Sequence, residues 1–295
     1  PVALARPIDA VVFDVDGVLV DVDASYVEAV VRTVQWLLVQ DASMVDDGPA
    51  TDRATVKLFK RVGSWNNDWD LSYGIYRWLL AGPAPHRTTA GIRAAGGDPN
   101  AAARRSLREL SAVGGHIPAR TYDEVRGVFE EFYTGTQEAV DQRGIVPRVH
   151  REEGLRAREP VLLRGETIEA LRARGITKFG VVTGRTVPEW DHVRERLPLP
   201  ADVPVATDDD GRKPDPSPLR RVVASLACTR AMFVGDTLDD LRMVQAYADG
   251  SEPAPEAVAV MVCPGDDEPA YRAAGARFFV RSVNDLPVLL DAAHG

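Results

Sequence analysis

Asp14 and Asp16 stand two positions apart in the stretch Asp14-Val15-Asp16-Gly17-Val18-Leu19-Val20-Asp21. They follow an apolar run, Ile8, Ala10, Val11, Val12 and Phe13, broken only by Asp9. Two carboxylates so placed can share a displacement reaction: one binds metal and attacks, the other moves protons. If extended geometry persists past the run, both side chains point the same way. Gly17 then lets the chain turn away sharply. Carboxylates at the exit of a buried strand are costly unless something neutralises them, and a divalent cation would do so.

Three later apolar runs end in groups of related chemistry. Thr183, Gly184 and Arg185 follow the second. Thr207, Asp208, Asp209, Asp210, Arg212 and Lys213 follow the third. Gly235, Asp236, Thr237, Asp239 and Asp240 follow the fourth. A phosphoryl group needs its oxygens neutralised and an in-line nucleophile. Asp14 can attack phosphorus to form an aspartyl-phosphate. Asp16 can protonate the leaving oxygen and then deprotonate water. Asp14, Asp16, Asp236 and Asp240 are the candidate ligands for Mg²⁺, which takes oxygen donors and keeps several waters. Asp240, one helical turn past Asp236, can order those waters or bind outer-sphere. Lys213 supplies a compact positive charge. Thr183 and the Gly184 amide can hydrogen-bond phosphoryl oxygens, with Arg185 as a further substrate contact. Plainer readings stand beside these. Asp14 and Asp16 could be turn and cap residues, Lys213 a loop residue and Thr183 an ordinary strand end. Asp240 could be a helix N-terminal residue favoured by the dipole.

The elements that must position these groups are legible from periodicity. The first run, rich in β-branched residues, reads as a strand buried on both faces. Val27, Val30, Val31, Val34, Leu37 and Leu38 place a helix over 24–40, with Asp23 as its N-cap. Further helices are predicted near 52–62, 70–81, 100–112 and 121–134, the last opened by Thr121 and Glu124 in capping-box spacing. Residues 82–98 read as a loop and the charged 141–160 as a return linker. From about 161 the pattern alternates. Helices near 165–174, 187–196, 217–227, 238–247, 268–274 and 284–292 separate strands at 179–183, 203–206, 231–234, 257–262 and 278–280. That alternation predicts an α/β fold with a parallel sheet and helices on both faces. Ligands of such sheets sit at the carboxyl ends of the strands, near the switch in strand order.

In the four motifs, taken in order, the chain resembles the haloacid dehalogenase-like hydrolase superfamily: Asp14-Val15-Asp16-Gly17-Val18, Thr183 after its strand, Lys213-Pro214-Asp215-Pro216, and Gly235-Asp236-Thr237-Leu238-Asp239-Asp240. Together they are a specific signal, although each alone is weak. The resemblance covers about half the chain. It implies a Rossmann-like doubly wound core over 1–21 and 161–295, Mg²⁺ dependence, and Asp14 as nucleophile. The insertion, 22–160, looks like an enlarged form of the helical cap of the subfamily that includes phosphoglycolate phosphatase and β-phosphoglucomutase. Its size keeps those relatives' substrates from being carried over. The dehalogenases lack the second Asp, so Asp16 favours phosphate-ester chemistry. The resemblance also implies cap closure about hinges near 20–24 and 155–165.

Within the insertion, Lys57 to Asp70 combines basic residues, two Trp and an Asn pair. Trp65, Asn66 and Asn67 are expected to read the organic part of the substrate, and Lys60 or Arg61 a second anionic group. The alternative is a helix-to-helix turn with Trp packed in the cap core. Trp36 and Trp78 fall on helical stripes and are expected in the core. The run Asp208–Asp210 lacks calcium-loop spacing and reads as a solvated loop. The five His show no ligand spacing.

The formal net charge of −9 argues against nonspecific binding to nucleic acid or an anionic membrane. Cys228 and Cys263 form no zinc or disulfide pattern, which makes a reducing cytoplasm the expectation. No membrane span or signal peptide is read from the sequence. The sequence thus points to a cytoplasmic Mg²⁺-dependent phosphatase acting on a small phosphorylated metabolite. The alternatives are a phosphomutase, which shares the first half-reaction, and a non-catalytic protein that binds a phosphorylated metabolite. The oligomeric state stays open, with a homodimer as one candidate.

Overall fold

The computed structural model describes residues 6–42, 50–62, 68–81, 120–250, 254–265 and 268–294. The chain divides into two compact units, Pro1–Asp21 with Pro160–Gly295, and Val22–Glu159. Among the described residues the first unit holds one six-stranded parallel sheet. Its strands are β1 (Ala10–Phe13), β2 (Lys178–Val182), β3 (Val205–Ala206), β4 (Arg230–Gly235), β5 (Glu256–Val262) and β6 (Phe278–Val280). Their spatial order is β3-β2-β1-β4-β5-β6, so the chain order switches beside β1. This is the doubly wound α/β architecture, which carries its ligand at that switch.

Helices α1 (Glu28–Ala42), α2 (Arg53–Val62), α3 (Asp68–Ala81), α4 (Tyr122–Thr134) and α5 (Thr136–Arg143) belong to the second unit. Helices α6 (Gly165–Ala173), α7 (Val187–Arg194), α8 (Ser217–Leu226), α9 (Leu238–Ala248), α10 (Glu268–Ala273) and α11 (Leu286–His294) belong to the first.

Alternation along β1 sets which helices cover it. Ala10 and Val12 join Val182, Ala231 and Phe233 in a core closed by Leu219, Val222 and Val223 of α8 and Met243, Val244 and Tyr247 of α9. Burying each of the larger side chains contributes roughly 1.5–3 kcal/mol relative to exposure. Elsewhere on the sheet, Phe13 stacks on Phe179, and Arg172 of α6 lies over the Phe179 ring. Asp9, the break in the apolar run, ties three strands at their amino ends. Its carboxylate accepts the Thr229 and Arg230 amides at 3.0 and 2.9 Å and Lys178 Nζ at 3.1 Å. Burial alone would raise its pKa, but the Arg230 and Thr229 amides and Lys178 hold it down at about 2.

The second unit packs around an aromatic cluster in which Tyr26 stacks on Tyr133 with ring centroids 4.2 Å apart. Trp78 is buried edge-on against Phe59, and Trp36 packs on the same core. The expected capping box forms: Glu124 N–H donates to Thr121 Oγ1, and Thr121 N–H donates to Glu124 Oε2.

Two expectations are corrected here. Asp23 is not a helix N-cap. It opens a π-helical turn, Asp23–Val27, whose preceding residue Val22 makes no side-chain cap, and Lys57 Nζ draws its carboxylate to 2.6 Å. The charged stretch 141–160 is not a plain linker. It begins inside α5, and buried Glu131 accepts the Arg148, Val149 and His150 amides at 2.6, 3.0 and 2.9 Å. The predicted loop 82–98 and helix 100–112 lie outside the described residues.

Candidate active site

The sheet register brings the ends of β1 and β4 together. Phe13 pairs with Val234, and the Asp14 amide donates to Val234 O at 2.9 Å. Asp14 therefore leaves the sheet beside Gly235 and Asp236. Its side chain is buried, and Oδ1 accepts the Val15 amide at 2.7 Å. Lys213, from the loop after β3, places Nζ 2.7 Å from Asp14 Oδ1 and 2.6 Å from Asp240 Oδ1. The ammonium also lies over the Phe233 ring.

Asp240 is fully buried and serves two structures at once. Its Oδ2 accepts the Thr237 amide and hydroxyl at 3.0 and 2.7 Å, closing the capping box of α9, while Oδ1 meets Lys213. The helix-end reading of this residue is realised, and the same side chain also reaches Lys213. Gly235 leaves room for it, since a Cβ there would meet the Asp240 Cβ at 2.6 Å.

One oxygen each of Asp14, Asp236 and Asp240 lie within 4.8 Å of one another. Burial raises the Asp14 pKa, Lys213 opposes that, and the Asp240 and Asp16 charges add to it, leaving it at about 7. Burial, then the Asp14 and Asp240 charges, drive Asp236 well above the usual carboxylate range. Burial pulls the Lys213 pKa down, but the Asp14 and Asp240 charges more than offset this and it ends up raised.

The cluster suits a divalent cation. Three carboxylates against one ammonium leave a formal charge of −2 (−3 + 1), which one divalent ion balances. Asp236 Oδ1 is buried with no hydrogen-bond partner among the described residues. Gly17, at φ +73°, makes the space for this carboxylate: a Cβ there would sit 2.1 Å from Asp236 Oδ2. Hard oxygen donors of this kind match Mg²⁺.

Asp16, expected among the metal ligands, is not in this trio. Its Oδ1 accepts Arg185 Nε and Nη2, each at 2.7 Å. Arg185, expected on the substrate, has a fully buried side chain that turns inward to Asp16. Thr183 is buried at the end of β2, where its amide donates to Ala206 O and its Oγ1 accepts the Arg185 amide at 3.1 Å. Its hydroxyl proton is left for another acceptor. Gly184, next in the chain, is exposed and has open space on its Cα.

The Asp208–Asp210 run forms a 3₁₀ turn. Asp210 accepts Arg221 and the Thr207 amide, which hold its pKa down, and Asp208 pairs with Arg212. The Lys60 backbone lies in α2, but its side chain, the side chain of Arg61, and Trp65, Asn66 and Asn67 are outside the described residues. One contributor escapes a motif reading. Tyr271 of α10 donates its hydroxyl to Asp236 O at 2.7 Å, and nothing local in the sequence marks it. Thr237 caps Asp240, and the Thr237–Asp240 spacing could have signalled that.

A model of the haloacid dehalogenase-like hydrolases matches residues 8–247. The imidazoleglycerol-phosphate dehydratase of Phytophthora nicotianae is 26% identical over 248 residues, 81% of this chain. The chain spans only 41% of the length of that relative. The solved phosphatase Tt82 from Thermococcus thioreducens has the same fold, with a TM-score of 0.63 at 24% identity, over 97% of this chain and 99% of that one.

Proposed function

Because the chain belongs to the haloacid dehalogenase-like hydrolase family, we propose that it is a Mg²⁺-dependent phosphatase of a small phosphorylated metabolite, working through an aspartyl-phosphate on Asp14. The observation that carries this reading is the buried Asp14, charge-paired to Lys213, with a second carboxylate, Asp16, two residues on.

Asp14 Oδ1 is anchored by Lys213 and the Val15 amide, so Oδ2 is the oxygen we assign to attack. As the Oδ2–P bond forms, the P–O bond to the leaving group breaks, and Asp16 gives that oxygen its proton. In the second half-reaction Asp16 takes a proton from water as the water oxygen attacks phosphorus and the Asp14 Oδ2–P bond breaks. Inorganic phosphate leaves, and both carboxylates return to their starting states. Lys213 favours the ionised form of Asp14 and faces the charge on the phosphoryl oxygens. The Thr183 hydroxyl and the exposed Gly184 amide donate to those oxygens. Asp14 and Asp236 would hold the metal, with Asp240 behind them fixing Lys213 and the loop. A bound Mg²⁺ supplies charge neutralisation for the transferring group.

None of the described helices is long and apolar enough to cross a membrane. The acidic balance of the chain agrees with a small anionic substrate drawn to a local cation rather than to a basic surface.

The test is phosphate release from 4-nitrophenyl phosphate and a panel of phosphorylated metabolites, with Mg²⁺ or with chelator. Mg²⁺-dependent release, absent in Asp14→Asn, is the expected result. Borohydride reduction of the trapped intermediate should convert Asp14 to homoserine. Failure to release phosphate from every compound would remove the hydrolase reading. Isomerised sugar phosphate in place of phosphate would make the protein a mutase.

A further inference from the structure

We propose that Arg185 is a positioning residue that aims the Asp16 carboxylate. The inference rests on the phosphatase reading, in which Asp16 moves the protons.

Arg185 heads the largest fully buried side chains of the described residues, with no side-chain exposure. Arginine is seldom buried to this extent unless it is paired. Both ends of the arm are fixed. At the base, the Arg185 amide donates to Thr183 Oγ1 at 3.1 Å, and its carbonyl accepts the Asp208 amide at 2.9 Å. The next residue, Thr186, caps α7, its amide and hydroxyl each 2.8 Å from Glu189 Oε2. The arm therefore starts from a point set by β2, the turn after β3 and the start of α7. At its tip, Nε and Nη2 both reach Asp16 Oδ1 at 2.7 Å.

That geometry leaves one carboxylate oxygen for chemistry. Oδ1 is taken by the guanidinium, and Oδ2 carries no hydrogen bond among the described residues. The proton given to the leaving oxygen, and later taken from water, therefore resides on Oδ2. Asp16 needs such a guide. It is about one-third exposed (32%) and is followed at once by the Gly17 turn. No other side chain among the described residues holds its rotamer. The rigid fork of Arg fixes a carboxylate in a way a lone ammonium does not. The same burial removes Arg185 from contact with substrate. Phosphoryl contacts at this strand end fall instead to the Thr183 hydroxyl and the Gly184 amide.

A positioning role makes a prediction that a structural role does not. An activated aryl leaving group departs without a proton, and a poor one needs it. The experiment measures kcat/KM at saturating Mg²⁺ on 4-nitrophenyl phosphate and on phenyl phosphate. The proteins compared are wild type, Asp16→Asn, Arg185→Gln, Arg185→Lys and the double variant Asp16→Asn/Arg185→Gln. Asp16→Asn should lose about 10²-fold more on phenyl phosphate than on 4-nitrophenyl phosphate. Arg185→Gln and Arg185→Lys should show the same selectivity, roughly tenfold. The double variant should be no slower than Asp16→Asn alone, because the two residues act as one unit. Arg185→Lys keeps a charge in the buried site and carries the comparison if Arg185→Gln does not fold. Equal losses on the two esters in the Arg185 variants, with Asp16→Asn selective, overturn this inference and leave the phosphatase reading standing. Equal losses in Asp16→Asn as well overturn the assignment of Asp16 as the acid, and this inference with it.

Discussion

Replacing Lys213 with Met tests the charge count at the centre of the proposed site. Met keeps much of the aliphatic stem and removes the ammonium. In the native chain Nζ stands 2.7 Å from Asp14 Oδ1 and 2.6 Å from Asp240 Oδ1. At an effective dielectric of about 20, a unit pair at such a distance attracts by about 6 kcal/mol, and desolvation takes back several. Removing one partner of a buried pair costs about 3–5 kcal/mol, because the remaining charge is left uncompensated. Here three clustered carboxylates lose their only described cation neighbour. The formal charge moves from −2 to −3, so a divalent ion should relieve more strain in the variant than in the native chain. Urea unfolding with chelator should show Lys213→Met less stable by about 3–5 kcal/mol. Adding Mg²⁺ should raise both proteins by the usual linkage of binding to folding, and the variant by the larger amount. Turnover should be lost even where stability returns, since the ammonium that faces the phosphoryl oxygens beside the metal is gone. An unchanged midpoint in chelator, or a smaller Mg²⁺ gain in the variant, would refute the charge argument.

Gly17→Ala should weaken Mg²⁺ binding by tenfold or more. A Cβ there cannot coexist with Asp236 Oδ2 at 2.1 Å, and the left-handed backbone adds about 1–2 kcal/mol of strain. Calorimetric titration giving the native Kd would remove the cradle from the argument. Asp9→Asn tests the amino end of the sheet. The folded pKa of Asp9, about 2, lies below its ordinary 3.8, so its contribution is complete above 3.8 and is lost as pH falls through 2. The native chain should exceed the variant by about 1–2 kcal/mol at pH 6, after allowance for partial exposure, and the gap should close toward pH 2. A gap that stays constant between those limits, measured by urea unfolding, would contradict the assignment. Glu131→Gln should destabilise the second unit by about 1–3 kcal/mol, since one oxygen that accepts amides becomes a donor facing donors. Native-like amide exchange at Arg148–His150 in the variant would argue against that clamp.

What a sequence can disclose follows the range of the interaction involved. The α/β fold was legible because period-2 and period-3.6 patterns are local, and β1 through β6 appear within a residue or two of their apolar runs. The groups at the strand ends were legible because a parallel sheet collects its carboxyl ends, whatever the details. Their partners were not. Asp16 and Arg185 lie 169 positions apart, and only the adjacency of β1 and β2 brings them together. From the sequence Asp16 is expected to move protons and to be a metal candidate, and Arg185 to contact substrate; neither expectation contains their pairing with each other. Pairing changes both: a carboxylate that holds a guanidinium on Oδ1 has one oxygen less to offer, and a guanidinium with no exposed surface has no reach. Tyr271 escaped for a related reason, since a hydroxyl on α10 acquires meaning only from the Asp236 carbonyl above it. Asp240 shows the opposite limit. Its capping role is local and readable, whereas its contact with Lys213 depends on where the loop after β3 comes to rest. A single strand-end carboxylate can therefore be assigned to the site from sequence, but which of its oxygens is free for chemistry is decided by the fold.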